Sequence, residues 1–346
     1  MMHFGIGPFT MQLPPGSPKT HADLYAEMLD TVKLAEELGF ESAWLAEHHF
    51  QEDGICPSLL VTLTAMAART RTIKLGTSML LLPLYRPITV AEDVAVLDNI
   101  SGGRVILGVA TGYRPSEFDG RGEMRSGREK RMEEQLEIML KAWTSDSFAH
   151  DGPSYKIPEM SVTPKPAQKP HPPIWMGAST KAGCRRTAKW ASSIVASPRH
   201  SLNEIREHFD LYRSYLKEMN KQPEHFAVIR EIYVAETKEK AEAEARDAIM
   251  YIHAGMYGKY ANVRPLTDDQ GRPVTGGEAS TTWDTHKQRF LVGSPDDVIK
   301  EAERYQRELG MDYLIGWMDF PGMDPALTRK SMRLFSKEVM PHFKKS

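Results

Sequence analysis

The chain has 346 residues, too long for one small sandwich and suited to a single α/β barrel of about 250 residues plus loops. Its 44 Lys and Arg balance 46 Asp and Glu, which removes any global bias toward nucleic acid or an anionic membrane and leaves small molecules or proteins as expected partners. The longest apolar runs, such as Met79 to Leu84, fall far below the roughly 18 residues of a bilayer span, no basic-then-apolar leader follows Met1, and Cys56 and Cys184 lack zinc-site spacing, so a cytoplasmic protein with ordinary thiols is expected.

Short apolar runs alternate with amphipathic stretches along the whole chain. His3 to Phe9 is expected to form a first strand, followed by a loop with Pro14, Pro15, Gly16 and Pro18 and a helix from His21 to Leu38 that Gly39 stops. Ser42 to Ala46 reads as the second strand, and Ser58 as the N-cap of a helix reaching Arg69. Ile73 to Leu82 gives a third strand with a helix from Pro87 to Ile100. Val105 to Thr111 gives a fourth, with a helix from Arg128 to Trp143. After a Pro-rich connection come Ile174 to Ala178 and its helix from Thr180 to Ala191, then Ile194 to Ser197 with Leu202 to Met219. Phe226 to Ala235 with Lys238 to about Tyr260, and Asp312 to Met318 with Pro325 to Met340, complete eight units. With right-handed connections these close as a (β/α)8 TIM barrel, one domain over residues 1–346. Asn262 to Lys287, aperiodic and rich in Gly, Thr, Asp and Pro, is an insertion between strands seven and eight. It is expected to be a mobile lid, a disordered surface insertion or a dimer-contact arm.

In such a barrel the chemistry sits at the carboxyl ends of the strands, and there the second strand runs straight into Glu47, His48 and His49. A buried strand end does not carry three ionisable residues unless they satisfy one another as a polar plug or do work. The third strand offers Gly76, Thr77, Ser78 and Met79, small residues where a flat ligand can approach the backbone. The fourth leaves through Gly108-Val109-Ala110-Thr111-Gly112, which lacks the third glycine of a dinucleotide fingerprint. The fifth leaves through Gly177-Ala178-Ser179-Thr180 into a helix N-terminus, a setting that accepts phosphate, with Lys181, Arg185 and Arg186 just beyond. Simple solvation of an exposed basic face is the alternative for those three cations.

Taken in order, Ala43 to Phe50, Gly76-Thr77, Asp98 to Arg104 and Gly177-Ala178-Ser179 resemble the bacterial luciferase-like family over nearly the whole chain. The resemblance implies a flavin-dependent oxidoreductase on a (β/α)8 barrel. It implies reduced FMN from a separate flavin reductase, O2 as co-substrate, a small organic substrate and a homodimer paired through the early helices. His48 matches the family's active-site histidine, flanked by Glu47 and His49, and these three are the candidate catalytic group. The resemblance further implies a non-prolyl cis peptide under the flavin at Ser78 and Met79, beside Thr77. It implies a phosphate contact at Ser179 with the adjoining Ala178, and an acidic position near the site at Glu117.

Two positions depart from the luciferase pattern. Thr111 stands where luciferase has an arginine for the phosphate, so the charge is expected from Arg185, Arg186 or Lys181; Ala110 replaces a reactive cysteine, and light emission is not implied. The expected function is an FMN-dependent monooxygenase. The alternatives are a deazaflavin-dependent hydride-transfer enzyme on the same barrel and a non-catalytic flavin-binding protein. Phe9, Met11, Phe50, Tyr85, Tyr113, Trp317 and Met318 suggest a pocket tolerant of apolar or aromatic groups, or ordinary core.

Overall fold

The computed structural model describes residues 1–253, 267, 272 and 282–344. In chain order it comprises β1 (His3–Phe9), α1 (His21–Glu37), β2 (Ser42–Leu45), α2 (Leu59–Arg69), β3 (Lys74–Thr77), β4 (Leu80–Leu81), α3 (Pro87–Ser101) and β5 (Val105–Ala110). There follow α4 (Pro115–Arg121), α5 (Arg128–Thr144), the pair β6 (Phe148–Asp151) and β7 (Lys156–Met160), β8 (Ile174–Gly177), α6 (Lys181–Trp190), β9 (Ser193–Ala196) and α7 (Leu202–Glu218). The last part is β10 (His225–Val234), α8 (Lys238–Tyr251), α9 (Trp283–His286), β11 (Leu291–Gly293), α10 (Pro295–Leu309), β12 (Tyr313–Trp317), α11 (Pro325–Leu334), a π-helical turn and α12 (Met340–Lys344).

Eight of these strands run parallel in the order β1, β2, β3, β5, β8, β9, β10, β12, and β12 pairs back onto β1 to close the barrel. Every residue of β2, β9 and β12 is buried, as expected of parallel strands covered on both faces. The barrel interior is filled by Trp44, Ile106, Trp175, Val195, Ile229 and Tyr313, with the Trp44 and Trp175 rings 5.0 Å apart. Gly76 belongs to this plug. Any Cβ there would collide with the Trp44 indole, so its missing side chain makes room for a core ring and not for a ligand.

The third strand is split: β3 ends at Thr77, the Ser78–Met79 peptide is cis, and β4 pairs with β5 beyond it. Three elements have no counterpart among the expected units: α4, the antiparallel β6–β7 hairpin, and the β11–α10 unit that extends the sheet from β10. The expected lid, Asn262 to Lys287, lies outside the described residues apart from Thr267, Arg272 and 282–287. Within it Trp283 is buried against Phe290, ring to ring at 5.3 Å.

The Asp98 to Arg104 motif is structural. The Arg104 guanidinium donates to the carbonyls of Ser101 (2.6 Å), Ile73 (2.8 Å) and Ala67 (3.1 Å) and to the Thr70 hydroxyl (2.9 Å), thereby capping the C-terminus of α2. Asp98 accepts from the Gln168 backbone and side-chain amides, each at 2.8 Å, and fastens the segment before β8. Charge-assisted bonds of this kind are strong, and deleting the cation leaves several carbonyls unsatisfied. Arg104→Ala should therefore lower the unfolding free energy by about 3 kcal/mol in urea denaturation. A loss under about 0.5 kcal/mol would show that water replaces the guanidinium without cost.

Candidate active site

At the carboxyl ends of the barrel strands a cavity of about 450 Å³ opens. The loop after β2 enters its wall because the Ala46 amide stays bonded to the Phe9 carbonyl (3.0 Å), which keeps the next residues over the barrel mouth. Glu47 is fully enclosed and accepts three hydrogen bonds, from His49 Nε2 (2.5 Å), the Tyr85 hydroxyl (2.7 Å) and the Leu81 amide (2.9 Å). Burial and the Glu47 charge push the Tyr85 phenol far up, so it remains a proton-bearing donor. Glu47 and His49 thus form the polar plug considered from the sequence. Glu47 reaches the cavity wall, and His49 does not.

Of the two histidines, His48 is the one that lines the cavity. Its Nδ1 lies 2.7 Å from Glu117 Oε1, and that oxygen also accepts from the His49 amide at 3.2 Å and sits 3.9 Å from the Arg114 guanidinium. A carboxylate only accepts, so Nδ1 carries the hydrogen and Nε2 is left as the basic nitrogen of the neutral ring. Burial holds the imidazole below its ordinary value of 6.5; the Glu117 hydrogen bond opposes the shift and the Arg114 charge reinforces it. Glu117, brought by the first turn of α4, stands behind His48 and does not touch the cavity.

The other predicted contacts divide cleanly. Ser78, Met79, Thr111, Ala178 and Ser179 line the cavity, as do the apolar Ala46, Ala110, Val195, Ile229 and Trp317. The Ser78 hydroxyl is buried with no hydrogen-bond partner among the described residues. Thr77 is spent on the fold: its hydroxyl donates to the Gly108 carbonyl at 2.7 Å.

Arg185 and Arg186, expected beside Ser179, do not line the cavity. Arg186 donates to Glu133 at 3.1 Å, while Arg185 is exposed, 3.7 Å from Glu218 and stacked over the Tyr215 ring. The cations that do line the cavity are Arg125, Arg128 and Arg199, together with Ser197 and His200. Arg128 lies in the first turn of α5, where burial favours its neutral form; Glu129, 2.8 Å away, opposes this, and the smaller effects of Arg125, Arg186 and Arg131 add to the burial. Such crowding of like charge is relieved by an anion. Ser197, Arg199 and His200 follow β9 directly, so the rule that barrel chemistry sits after strand ends would have found them.

The family profile described as luciferase-like monooxygenase matches residues 2–313. The chain belongs to this family. Among its relatives, this luciferase-like monooxygenase is 26% identical, over 95% of its length and 92% of the relative's, to the oxygenase component of a flavin-dependent trigonelline monooxygenase of Acinetobacter baylyi. Its fold superimposes on a monooxygenase of Streptomyces bottropensis with a TM-score of 0.85, at 24% identity and covering 99% and 100% of the two chains. It also superimposes on the oxygenating constituent of 3,6-diketocamphane monooxygenase from Pseudomonas putida, solved with FMN, with a TM-score of 0.79, at 22% identity and 98% of each chain. Other relatives carry names of F420-dependent enzymes.

The depressed His48 value has a testable sign. Folded protein binds fewer protons there than unfolded chain, so this contribution to stability is complete above pH 6.5 and is lost as the pH falls from there through the folded value. In an NMR titration the His48 midpoint should lie below 6.5, and Glu117→Gln should lower it further because the carboxylate raises it. A midpoint above 6.5 would mean that Glu117 outweighs burial.

Proposed function

We propose that the protein is the oxygenase of a two-component system, binding reduced FMN delivered by a separate NAD(P)H:flavin reductase and using O2 to oxidise a small organic substrate. The observation that carries this reading is the His48–Glu117 pair, 2.7 Å apart, with the ring on the wall of an apolar-floored cavity rimmed by arginines. The residues fit a flavin. The unpartnered Ser78 hydroxyl offers a hydrogen bond to a polar ring edge, Ala46, Ala110 and Val195 leave room for a flat ring, and Arg125, Arg128, Ser179 and Ser197 suit a terminal phosphate. Bound reduced flavin supplies the two electrons with which dioxygen is divided between an oxidised substrate and water.

The protein's own part is acid–base and steric. His48 Nε2 takes or gives the proton at the reacting centre, and Glu117 fixes the ring orientation and holds the other nitrogen protonated. Glu47, tied to three donors, keeps the loop rigid. The relative named as an oxygenase component supports a partner reductase, and the FMN complex of the Pseudomonas putida neighbour supports FMN. Val61 on α2 and Val96 and Ile100 on α3 are exposed and apolar, which supports a homodimer through the early helices. A cytoplasmic location is part of the proposal; among the described residues no helix is long and apolar enough to cross a membrane.

Two experiments test the reading. His48→Ala should cut substrate oxidation by roughly a hundredfold while FMN affinity changes little; equal losses of both would make His48 a structural plug. Arg128→Ala combined with Ser179→Ala should weaken FMN at least tenfold, roughly, yet leave riboflavin nearly unaffected. Turnover with a reduced deazaflavin in the absence of oxygen would replace this proposal with hydride transfer.

A further inference from the structure

A second cavity, of about 350 Å³, lies between the loop after β1, the first turns of α1 and the loop joining β12 to α11. It shares no lining residue with the first. Met11, Leu13, Leu24, Phe320 and Met323 give it apolar walls, Gln12, Glu27, Asp319 and Asp324 bring acceptors to it, and Lys19 is a charged donor on the same lining. Gln12 is 3% exposed, and its side-chain Nε2 donates to Asp53 Oδ2 at 2.6 Å. Asp53 is not part of the cavity wall. The planar amide therefore turns Oε1 away from Asp53, and this buried oxygen has no hydrogen-bond partner among the described residues.

Across the cavity stands Asp319, just beyond β12, whose carboxylate makes no hydrogen bond or ion pair to any described residue; its backbone carbonyl accepts from Trp317 Nε1 at 3.0 Å. Glu27 adds a third acceptor, with Lys19 bound to it at 2.7 Å. Burial, and then the Glu27 charge, push the Asp319 carboxyl up to about 6, against the smaller pull of Lys19 and Arg329. A cation beside it would favour the ionised form.

We infer that this cavity is a second ligand site, for a small organic cation that presents N–H donors on a short apolar body, such as an alkylguanidinium or primary alkylammonium. The cation would lie between Asp319 and Gln12 Oε1, with its chain on Phe320 and Met323. Two unmatched acceptors in an apolar enclosure select for charge and hydrogen bonding together: a neutral alcohol satisfies one at most, and a donor-free cation satisfies neither amide nor carboxylate by hydrogen bonding. The volume suits a ligand of this size. The site faces the same end of the barrel as the flavin cavity, and Trp317 joins the two: it lines the first and is bonded to the Asp319 backbone in the second.

Isothermal titration of the full chain with n-butylguanidinium tests the inference. Saturable binding with Kd near or below about 1 mM is expected, with 1-pentanol at least roughly tenfold weaker. Asp319→Asn, which keeps shape and removes charge, should weaken n-butylguanidinium at least tenfold, roughly, with FMN affinity and thermal midpoint unchanged. Gln12→Met is the second variant and decides the matter if Asp319→Asn fails to fold; it should weaken the same probe several-fold. Unaltered affinity in the folded variants, alcohol binding as tight as the cation, competition by FMN, or no saturation up to about 10 mM would each overturn the assignment.

Discussion

The hydrogen bond between His48 and Glu117 is the constraint on which the site depends. It joins the loop after β2 to the first turn of α4, two segments 69 residues apart, and it settles which nitrogen of the imidazole remains basic. Arg114 keeps the carboxylate company at 3.9 Å, and Tyr113 places its ring at 5.9 Å, edge to face with His48. Burial and Arg114 hold the ring neutral, whereas Glu117 alone would favour the charged form. With the hydrogen on Nδ1, Nε2 is the ring nitrogen left able to accept a proton.

Beneath that pair lies a scaffold that spends its polar groups sparingly. Glu47 satisfies His49, Tyr85 and Leu81 in one buried knot, and Thr77 closes on Gly108. Residues that look catalytic in sequence therefore fall into two kinds. Glu47, His49 and Thr77 stiffen the mouth, while His48 and Ser78 keep polar atoms for the cavity. A site held by rigid neighbours loses little by reorganising when a ligand arrives.

Much of this was legible in the amino-acid order. The eight barrel strands are short apolar runs because parallel strands are buried on both faces, and their order along the chain matches their order in space. His48, Ser78 and Ser179 could be found because barrel chemistry follows strand ends. Helix α4 escaped notice because seven residues hardly exceed the repeat of the helix, and the β6–β7 hairpin because its mixed exposure leaves no clean alternation. Pro295–Leu309 sits in a stretch where the count of eight units requires no helix. Which cations reach the cavity could not be read for a different reason: helix α6 turns Arg186 toward Glu133, a partner 53 residues away, while α5 and the loop after β9 bring Arg128 and Arg199 to the rim. Which acid neutralises which base is decided by tertiary packing and leaves no periodic trace.

The central claim is that this barrel mouth holds a reduced flavin with its reactive ring against His48 and Ser78. A crystal structure of the protein soaked anaerobically with reduced FMN tests it most directly. The account predicts density for the tricyclic ring on the Ser78–Met79 segment within hydrogen-bonding reach of His48 Nε2, and for the phosphate beside Ser179 and Arg128. Density for FMN anywhere else on the molecule, or a ring turned with its polar edge away from both residues, would contradict it.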